Sequence, residues 1–288
     1  MIIVADSGAT KTAWRSISTG GLVRSAQTAG MNPSCLDEEG CRAIVREAVP
    51  VLNPEGERVE SVFFYGAGLV SEEAAAPVRL ALEMWCPFAE VEFHSDILAA
   101  ARALFGDGSG VVAIMGTGSN SCLYENGTIV KNIRPGGYVL GDEGSGVALG
   151  RAFLSDFIKG LLPESVEAAF AAQTGLDYSA IVRKVYKEKS ASAFMASLAP
   201  FVLSQTDDPY IHTMVMDCLE SFVRRALVRY VDFAQDKAAA RKVGVVGSFG
   251  CACEDMLRET GSRYGLEFVS FLKSPIDNLV RYHSSYGI

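Results

Sequence analysis

Hydrophobic and polar positions along the chain follow a pattern that occurs twice. Ile2-Ile3-Val4-Ala5 is a short apolar run suited to a fully buried strand, and it leads into the polar segment Asp6-Ser7-Gly8-Ala9-Thr10-Lys11-Thr12. Alternation follows in Ala13-Trp14-Arg15-Ser16-Ile17, then a turn at Thr19-Gly20-Gly21, then Leu22-Val23-Arg24-Ser25. The second copy begins with Val111-Val112-Ala113-Ile114-Met115 and the turn Gly116-Thr117-Gly118-Ser119-Asn120. Ser121-Cys122-Leu123-Tyr124 and Thr128-Ile129-Val130-Lys131 then flank Asn126-Gly127, a strong hairpin signal. Each copy predicts a buried strand, a Gly/Ser/Thr-rich turn, a second strand, a tight turn and a third strand. Two copies of one unit predict two domains of related design.

Helical spacing fills the intervals. In the first half it covers 37–49, 72–86 and 97–105, with strands around Val62–Tyr65 and Val91–Phe93 between. In the second half it covers 146–162, 164–173, 177–187, 191–205 and 212–235. A strand at Val243–Val246, a Gly-Ser turn, a helix over 254–264, a strand around Phe268 and a last helix from 275 complete the chain. Strands alternating with helices of this length predict an α/β fold with mixed or parallel sheets. The Gly-rich joint Gly106–Gly110 marks the boundary, giving domains 1–107 and 108–274.

Charge narrows the function. The 288 residues carry 34 acidic and 26 basic side chains, a net charge of -8. Such a surface repels phosphate backbones and anionic lipid, which argues against nucleic-acid and membrane partners. No apolar run reaches the roughly 20 residues of a membrane span, and the N-terminus lacks a basic region followed by a secretory-length apolar stretch. Cys35, Cys41, Cys86, Cys122, Cys218, Cys251 and Cys253 form no C-x-x-C pair, so they read as free thiols in a reducing compartment. The expectation is a soluble cytoplasmic protein that grips any phosphate locally, through backbone N–H groups or a metal.

Asp6 to Thr12 is no Walker A loop, because Thr10 precedes Lys11 and a strand pattern follows. Phosphates would therefore meet hairpin N–H groups and the hydroxyls of Ser7, Thr10 and Thr12, with Gly8 allowing close approach. Asp6, ending a buried strand, is placed to hold Mg²⁺, often through water. An ordinary hairpin is the bland alternative. Gly116-Thr117-Gly118-Ser119 repeats the chemistry, and two such hairpins would clamp a triphosphate. Gly247-Ser248-Phe249-Gly250, between a strand and a helix, suits an adenosine or a phosphate, or is a plain turn. Asp96 follows a strand and opens a helix: it is a helix N-cap, a reactive group at a strand end, or both. Gly136 to Gly146 holds five glycines and the adjacent carboxylates Asp142 and Glu143, more than a turn requires. Asn32, in Met31-Asn32-Pro33, suits a sugar hydroxyl or a turn. His94, His212 and His283 join no Ser or Cys motif, which disfavours a triad or a zinc site.

The series DSGATKT, MNPS, SDILAAA, GTGSNS, GGYVLGDEGSG and VVGS resembles the N-acetylglucosamine kinase and BadF/BadG/BcrA/BcrD ATPase group of the sugar kinase, heat-shock chaperone and actin superfamily, in order and over nearly the whole chain. The resemblance implies two ribonuclease-H-like domains with ATP in the cleft between them, and a last helix, 275–288, that returns to the first domain. It implies that Asp6 organises Mg²⁺. Phosphates would meet Ser7, Gly8, Ala9, Thr10, Lys11, Thr12, Gly116, Thr117 and Gly118, and Gly247 with Ser248 would flank the adenosine. Asn32, Asp96, Ser119, Asn120, Gly137 and Asp142 match sugar-contacting positions, with Asp96 the general base for a C6 hydroxyl. The implied acceptor is N-acetylglucosamine, with glucosamine next, and a homodimer is compatible with it. One departure stands out: the family usually carries Trp where Gly136 stands, removing a wall of the sugar pocket. Two other readings compete. A reductase or dehydratase activator would need iron–sulfur cysteines near the second glycine-rich segment, where only Cys122 lies. A sugar or nucleotide sensor would lack the chemistry of Asp6 and Asp96.

Overall fold

The computed structural model describes residues 1–8, 11–31, 36–69 and 71–284. The chain divides into two compact units, Met1–Gly106 with Ser274–Ile288, and Asp107–Lys273. Ala9, Thr10 and Asn32 lie outside the described residues, as do Cys35 and residues 285–288 of the span predicted as the last helix.

In the first unit β1 (Ile2–Ser7), β2 (Lys11–Ile17) and β3 (Val23–Ala29) form an antiparallel meander. Two parallel strands, β4 (Ser61–Gly66) and β5 (Glu90–Ser95), extend the sheet, giving the order β3-β2-β1-β4-β5. Between them run α1 (Glu38–Leu52) and α2 (Glu72–Trp85), and α3 (Asp96–Phe105) follows β5. Helix α1 starts where the Asp37 carboxylate accepts the Gly40 N–H, a cap worth about 1 kcal/mol. It buries Cys41, Ile44, Val45, Ala48 and Leu52, the i, i+3, i+4 stripe that a helix presents to a sheet. That stripe joins Ile3, Ala5, Trp14 and Phe64 in one core, with the Trp14 and Phe64 rings edge to face at 5.9 Å.

The second unit repeats the plan. Strands β6 (Gly110–Met115), β7 (Ser119–Glu125) and β8 (Thr128–Asn132) make the meander, and β9 (Lys242–Val246) and β10 (Glu267–Leu272) run parallel beside β6. The order β8-β7-β6-β9-β10 matches the first sheet strand for strand. The α/β class and the paired ribonuclease-H-like design expected from the sequence are what the fold shows. The helices are α4 (Gly137–Leu140), α5 (Gly146–Ile158), α6 (Glu164–Thr174), α7 (Tyr178–Tyr186), α8 (Ala191–Ser197), α9 (Ala199–Leu203), α10 (Pro209–Arg225), α11 (Tyr230–Phe233), α12 (Ser248–Ala252) and α13 (Glu254–Arg263).

Three predicted elements differ. The helix expected over 191–205 is two, α8 and α9, because Pro200 sits in the first turn of α9 and has no N–H to continue α8. The helix expected over 212–235 starts earlier, at Pro209, where Asp208 caps the Tyr210 and Ile211 N–H groups. It stops at Arg225 and is followed by a 3-10 turn, Leu227–Arg229, that delivers the buried Tyr230 to β7. The Gly-Ser turn after β9 is the start of α12.

The last helix, α14 (Ile276–Ser284), belongs to the first unit and packs on α3, β1 and β2. Asn278 Nδ2 donates to the Ala103 carbonyl at 2.9 Å, and Arg15 pairs with Asp277 at 2.9 Å. His283 stacks on Phe63 with centroids 3.7 Å apart, its Nε2 2.8 Å from the Tyr65 hydroxyl. Arg102 donates to the same hydroxyl at 2.7 Å, so the Tyr65 proton points to His283 Nε2 and the ring is neutral. Burial, then the Arg102 charge, pulls the His283 pKa down to about 3.

Candidate active site

In the first unit the chemistry gathers at the C-terminal ends of the parallel strands, where open α/β sheets place their sites. Asp6 is in β1, paired with Tyr65 of β4, and Asp96 lies one residue past the end of β5. Burial, then the Asp96 charge, pushes the Asp6 carboxyl from its ordinary 3.8 up to about 6, while Lys11 opposes the rise. Burial also raises Asp96, against hydrogen bonds from the backbone N–H groups of Ile97 and of Asp96 itself. Asp96 is not the N-cap that its position suggests. Ser95 takes that role, its hydroxyl accepting the Leu98 N–H, and Asp96 is the first residue of the helix. One oxygen of Asp96, Oδ1, accepts the Ile97 N–H of the first turn at 2.8 Å. Two half-buried carboxylates within electrostatic reach of each other suit Mg²⁺, which binds through one or two carboxylates plus waters and substrate phosphates. Among the described residues no group of three or more His, Cys, Asp or Glu is placed to hold a metal.

The hydroxyls of Ser7 and Thr12 point elsewhere than the expected phosphate. They lie 2.9 Å apart and are buried, on the opposite pleat from Asp6. Ser7 Oγ receives the Met31 N–H at 2.9 Å, and Thr12 Oγ1 donates to the Ala29 carbonyl at 3.0 Å. The pair therefore fixes the chain leading into Asn32. Gly8 and Lys11 are exposed, and the Gly8 N–H closes the hairpin on the Lys11 carbonyl at 2.9 Å.

In the second unit the Gly116–Ser119 turn, Asp142, Gly247 and Ser248 come together around the end of β6. The carbonyls of Gly116 and Thr117 accept N–H groups from Gly146 and Val147, at 2.9 and 3.0 Å, so the turn is anchored on the start of α5. Gly247 holds φ +129, and a Cβ there would lie 2.2 Å from the Met115 carbonyl. Only glycine lets this backbone approach, and it sets Gly247 and Ser248 beside the Gly116 turn. Asp142 is buried, with φ +57, and its carboxylate accepts the Ser119 N–H and lies over Gly118. Burial nonetheless pushes its pKa up. Asp142 thus positions the turn, a role that the motif alone did not reveal.

A cavity of about 300 Å³ lies in this unit, with Ser119, Asn120 and Gly136 in its wall. Asn120 Oδ1 accepts the Ser121 N–H and Asn132 Nδ2, each at 2.9 Å, so its own NH₂ group has no partner among the described residues. Tyr230 braces the floor, its hydroxyl donating to the Ser121 carbonyl at 2.8 Å and accepting the Ile133 N–H at 2.9 Å. Gly136 has φ +81 and a Cβ there would meet the Gly141 nitrogen at 3.3 Å, so a tryptophan would be strained at this position. Gly137 stands in open space. Arg134, Arg225 and Arg229 also line the cavity. They carry no motif, since the loop after β8, the end of α10 and the turn beyond it supply one each.

The described cysteines are free thiols. Cys122, the one nearest the second glycine-rich turn, is buried in β7 and its thiol is pushed up to about 12, far from the exposed ligands that an iron–sulfur bridge needs. No described helix is long and apolar enough to cross a membrane.

No protein-family profile matches the chain, and no curated protein does. Solved structures do. A protein of Porphyromonas gingivalis provisionally named an N-acetylglucosamine kinase is 34% identical, with TM-score 0.91 and 100% of both chains covered. A protein of Chromobacterium violaceum with the same provisional name is 22% identical, with TM-score 0.76 and 98% of each chain covered. A ROK hexokinase of Thermus thermophilus is 17% identical, with TM-score 0.59 and 99% of each chain covered. The last two are similar in fold alone.

Proposed function

The chain belongs to the N-acetylglucosamine kinase family of ATP-dependent sugar kinases, and from that membership we propose that it phosphorylates the C6 hydroxyl of an amino sugar, with N-acetylglucosamine first. The observation that carries the reading is the Asp6–Asp96 pair at the strand ends of the first unit. Asp96 would accept the acceptor-hydroxyl proton, since burial makes it a stronger base even with Oδ1 held by the Ile97 N–H. Asp6 would hold Mg²⁺, which supplies charge neutralisation to the transferring phosphoryl group. In the second unit the Gly116–Gly118 turn would meet phosphates, and Gly247 with Ser248 would flank the adenosine. Asn120, Ser119 and Gly137 would contact the sugar, and Asp142 would hold the Ser119 backbone in place for it. Of the remaining site residues Ala9, Thr10 and Lys11 would stay with the phosphates, and Asn32, the residue after Met31, with the sugar.

The test is ADP release from Mg-ATP with N-acetylglucosamine, glucosamine, N-acetylmannosamine, glucose and buffer alone. Turnover on one amino sugar supports the reading. Sugar-independent hydrolysis, untouched by Asp96→Asn, overturns it.

A further inference from the structure

We propose that Arg151 is a positioning residue for the acceptor sugar: it ties the α4 turn to α5 and so holds Gly137 in place. This rests on the sugar-kinase reading above and assigns a further residue to the same site. The first observation is how little else holds α4. The turn presents Tyr138, Val139 and Leu140 to solvent at 42%, 68% and 82% exposure, so apolar burial does not anchor it. Gly136 before it and Gly137 at its start hold φ +81 and +72, and Gly141 ends it. Glycine has more backbone freedom to lose than any other residue, and a helix of one turn does not hold itself. The Gly141 N–H donates to the Gly137 carbonyl at 2.8 Å and the Asp142 N–H to the Pro135 carbonyl at 3.0 Å, both within the loop. Among the described residues, the one hydrogen bond that reaches α4 from another element is Arg151 Nη1 donating to the Tyr138 carbonyl. That carbonyl is one of those that a helix end leaves without an internal partner.

The second observation is where Arg151 stands. It belongs to α5, whose Gly150 packs so closely on α8 that a Cβ there would lie 1.9 Å from the Met195 carbonyl. Phe153 and Leu154 of the same helix are in the core. The donor is therefore carried by a fixed helix and the acceptor by a turn that nothing else fixes. The far end of the loop is held separately. Glu143 pairs with Arg225 at 2.8 Å, and the Ser145 hydroxyl donates to the Asp142 carbonyl at 2.6 Å. Loss of the Arg151 bond thus frees α4 alone. The freed turn presents Gly137 correctly only part of the time, and apparent affinity for the sugar falls by that fraction. Nucleotide binding, assigned to other turns, does not fall.

The experiment compares the parent with Arg151→Met, which keeps an unbranched apolar stem and removes the donor, and with Arg151→Lys, which keeps a charged donor. Arg151 is exposed, so neither variant disturbs the core. The KM for the amino sugar is expected to rise about fivefold or more in Arg151→Met, as loss of a hydrogen bond to a charged group implies. The KM for Mg-ATP and the Tm should stay at the parent values, and Arg151→Lys should recover most of the rise. Amide hydrogen exchange, measured without sugar or nucleotide, reads the turn independently of activity. The Gly141 and Asp142 amides should exchange faster in Arg151→Met and return toward the parent in Arg151→Lys, while those of β6 and β7 do not change. An unchanged sugar KM in Arg151→Met overturns the inference and leaves the kinase reading standing. A rise shared equally by Mg-ATP, or faster exchange throughout the second unit, also overturns it, by making Arg151 a residue of general stability. No turnover of any sugar by the parent overturns the kinase reading and the acceptor role with it, and the exchange rates then still decide whether Arg151 holds α4.

Discussion

Replacing Asp6 by asparagine should stabilise the metal-free protein while abolishing its activity. The folded chain holds the Asp6 proton to about pH 6, against an ordinary 3.8, because burial and the Asp96 charge disfavour the carboxylate. A shift of that size costs the folded state about 3 kcal/mol when the group is ionised. The sign follows from the raised value. Asp6 imposes no cost below pH 3.8, an increasing one as pH rises to 6, and the full cost above. Asparagine carries no charge and escapes it. The gap in stability between Asp6→Asn and the parent should therefore be small near pH 4.5 and grow to a plateau above pH 6.5. About 3 kcal/mol corresponds to about 6–12 °C in Tm for units of this size. The assay is calorimetric melting of both proteins in chelator from pH 4.5 to 7.5. The raised carboxyls of Asp96 and Asp142 are common to both proteins and largely cancel in the difference. A gap that is constant across this range, or that shrinks with rising pH, would refute the reasoning.

Further outcomes follow from the same geometry. Asp96→Asn should lower kcat by about 10²- to 10⁴-fold with little change in the KM for Mg-ATP, read by coupled ADP release. The kcat/KM of the parent should fall below about pH 6 as Asp6 takes its proton and loses Mg²⁺ affinity, and raising Mg²⁺ should move that limb to lower pH. Gly247→Ala forces a Cβ to 2.2 Å from the Met115 carbonyl, so it should cost about 3 kcal/mol or more, visible as a lowered Tm. His283→Ala removes the ring stacked on Phe63 and the partner of Tyr65, and should cost about 2–4 kcal/mol in urea unfolding.

Much of the architecture was legible because it rests on local signals. Apolar runs ending in glycine-rich turns, with Asn126-Gly127 between alternating residues, specify the meander in each half, and their duplication specifies the pair of sheets. Boundaries were less legible where two residues compete for one role. Ser95 and Asp96 are both good caps, and only the backbone shows that serine takes the post while the aspartate, first in the helix, accepts the Ile97 N–H. Pro200 was visible as a helix breaker inside an otherwise periodic stretch, yet periodicity dominated that reading. Ser7 and Thr12 look like phosphate ligands by composition, but strand alternation turns both away from Asp6 toward Met31. The arginine-lined cavity had no signal at all, because tertiary packing alone unites Arg134 with Arg225 and Arg229.

The placement of α14 has a consequence for how the molecule is made. The second unit is encoded wholly between the two parts of the first. A ribosome therefore delivers every residue of the second sheet before it delivers the helix that seals the first. Until then Phe63 and Tyr65 lack the His283 ring that covers them, and the first-made sheet waits on a segment made after the second. The nascent chain thus receives the helix that completes its first domain only after every strand of its second has been translated.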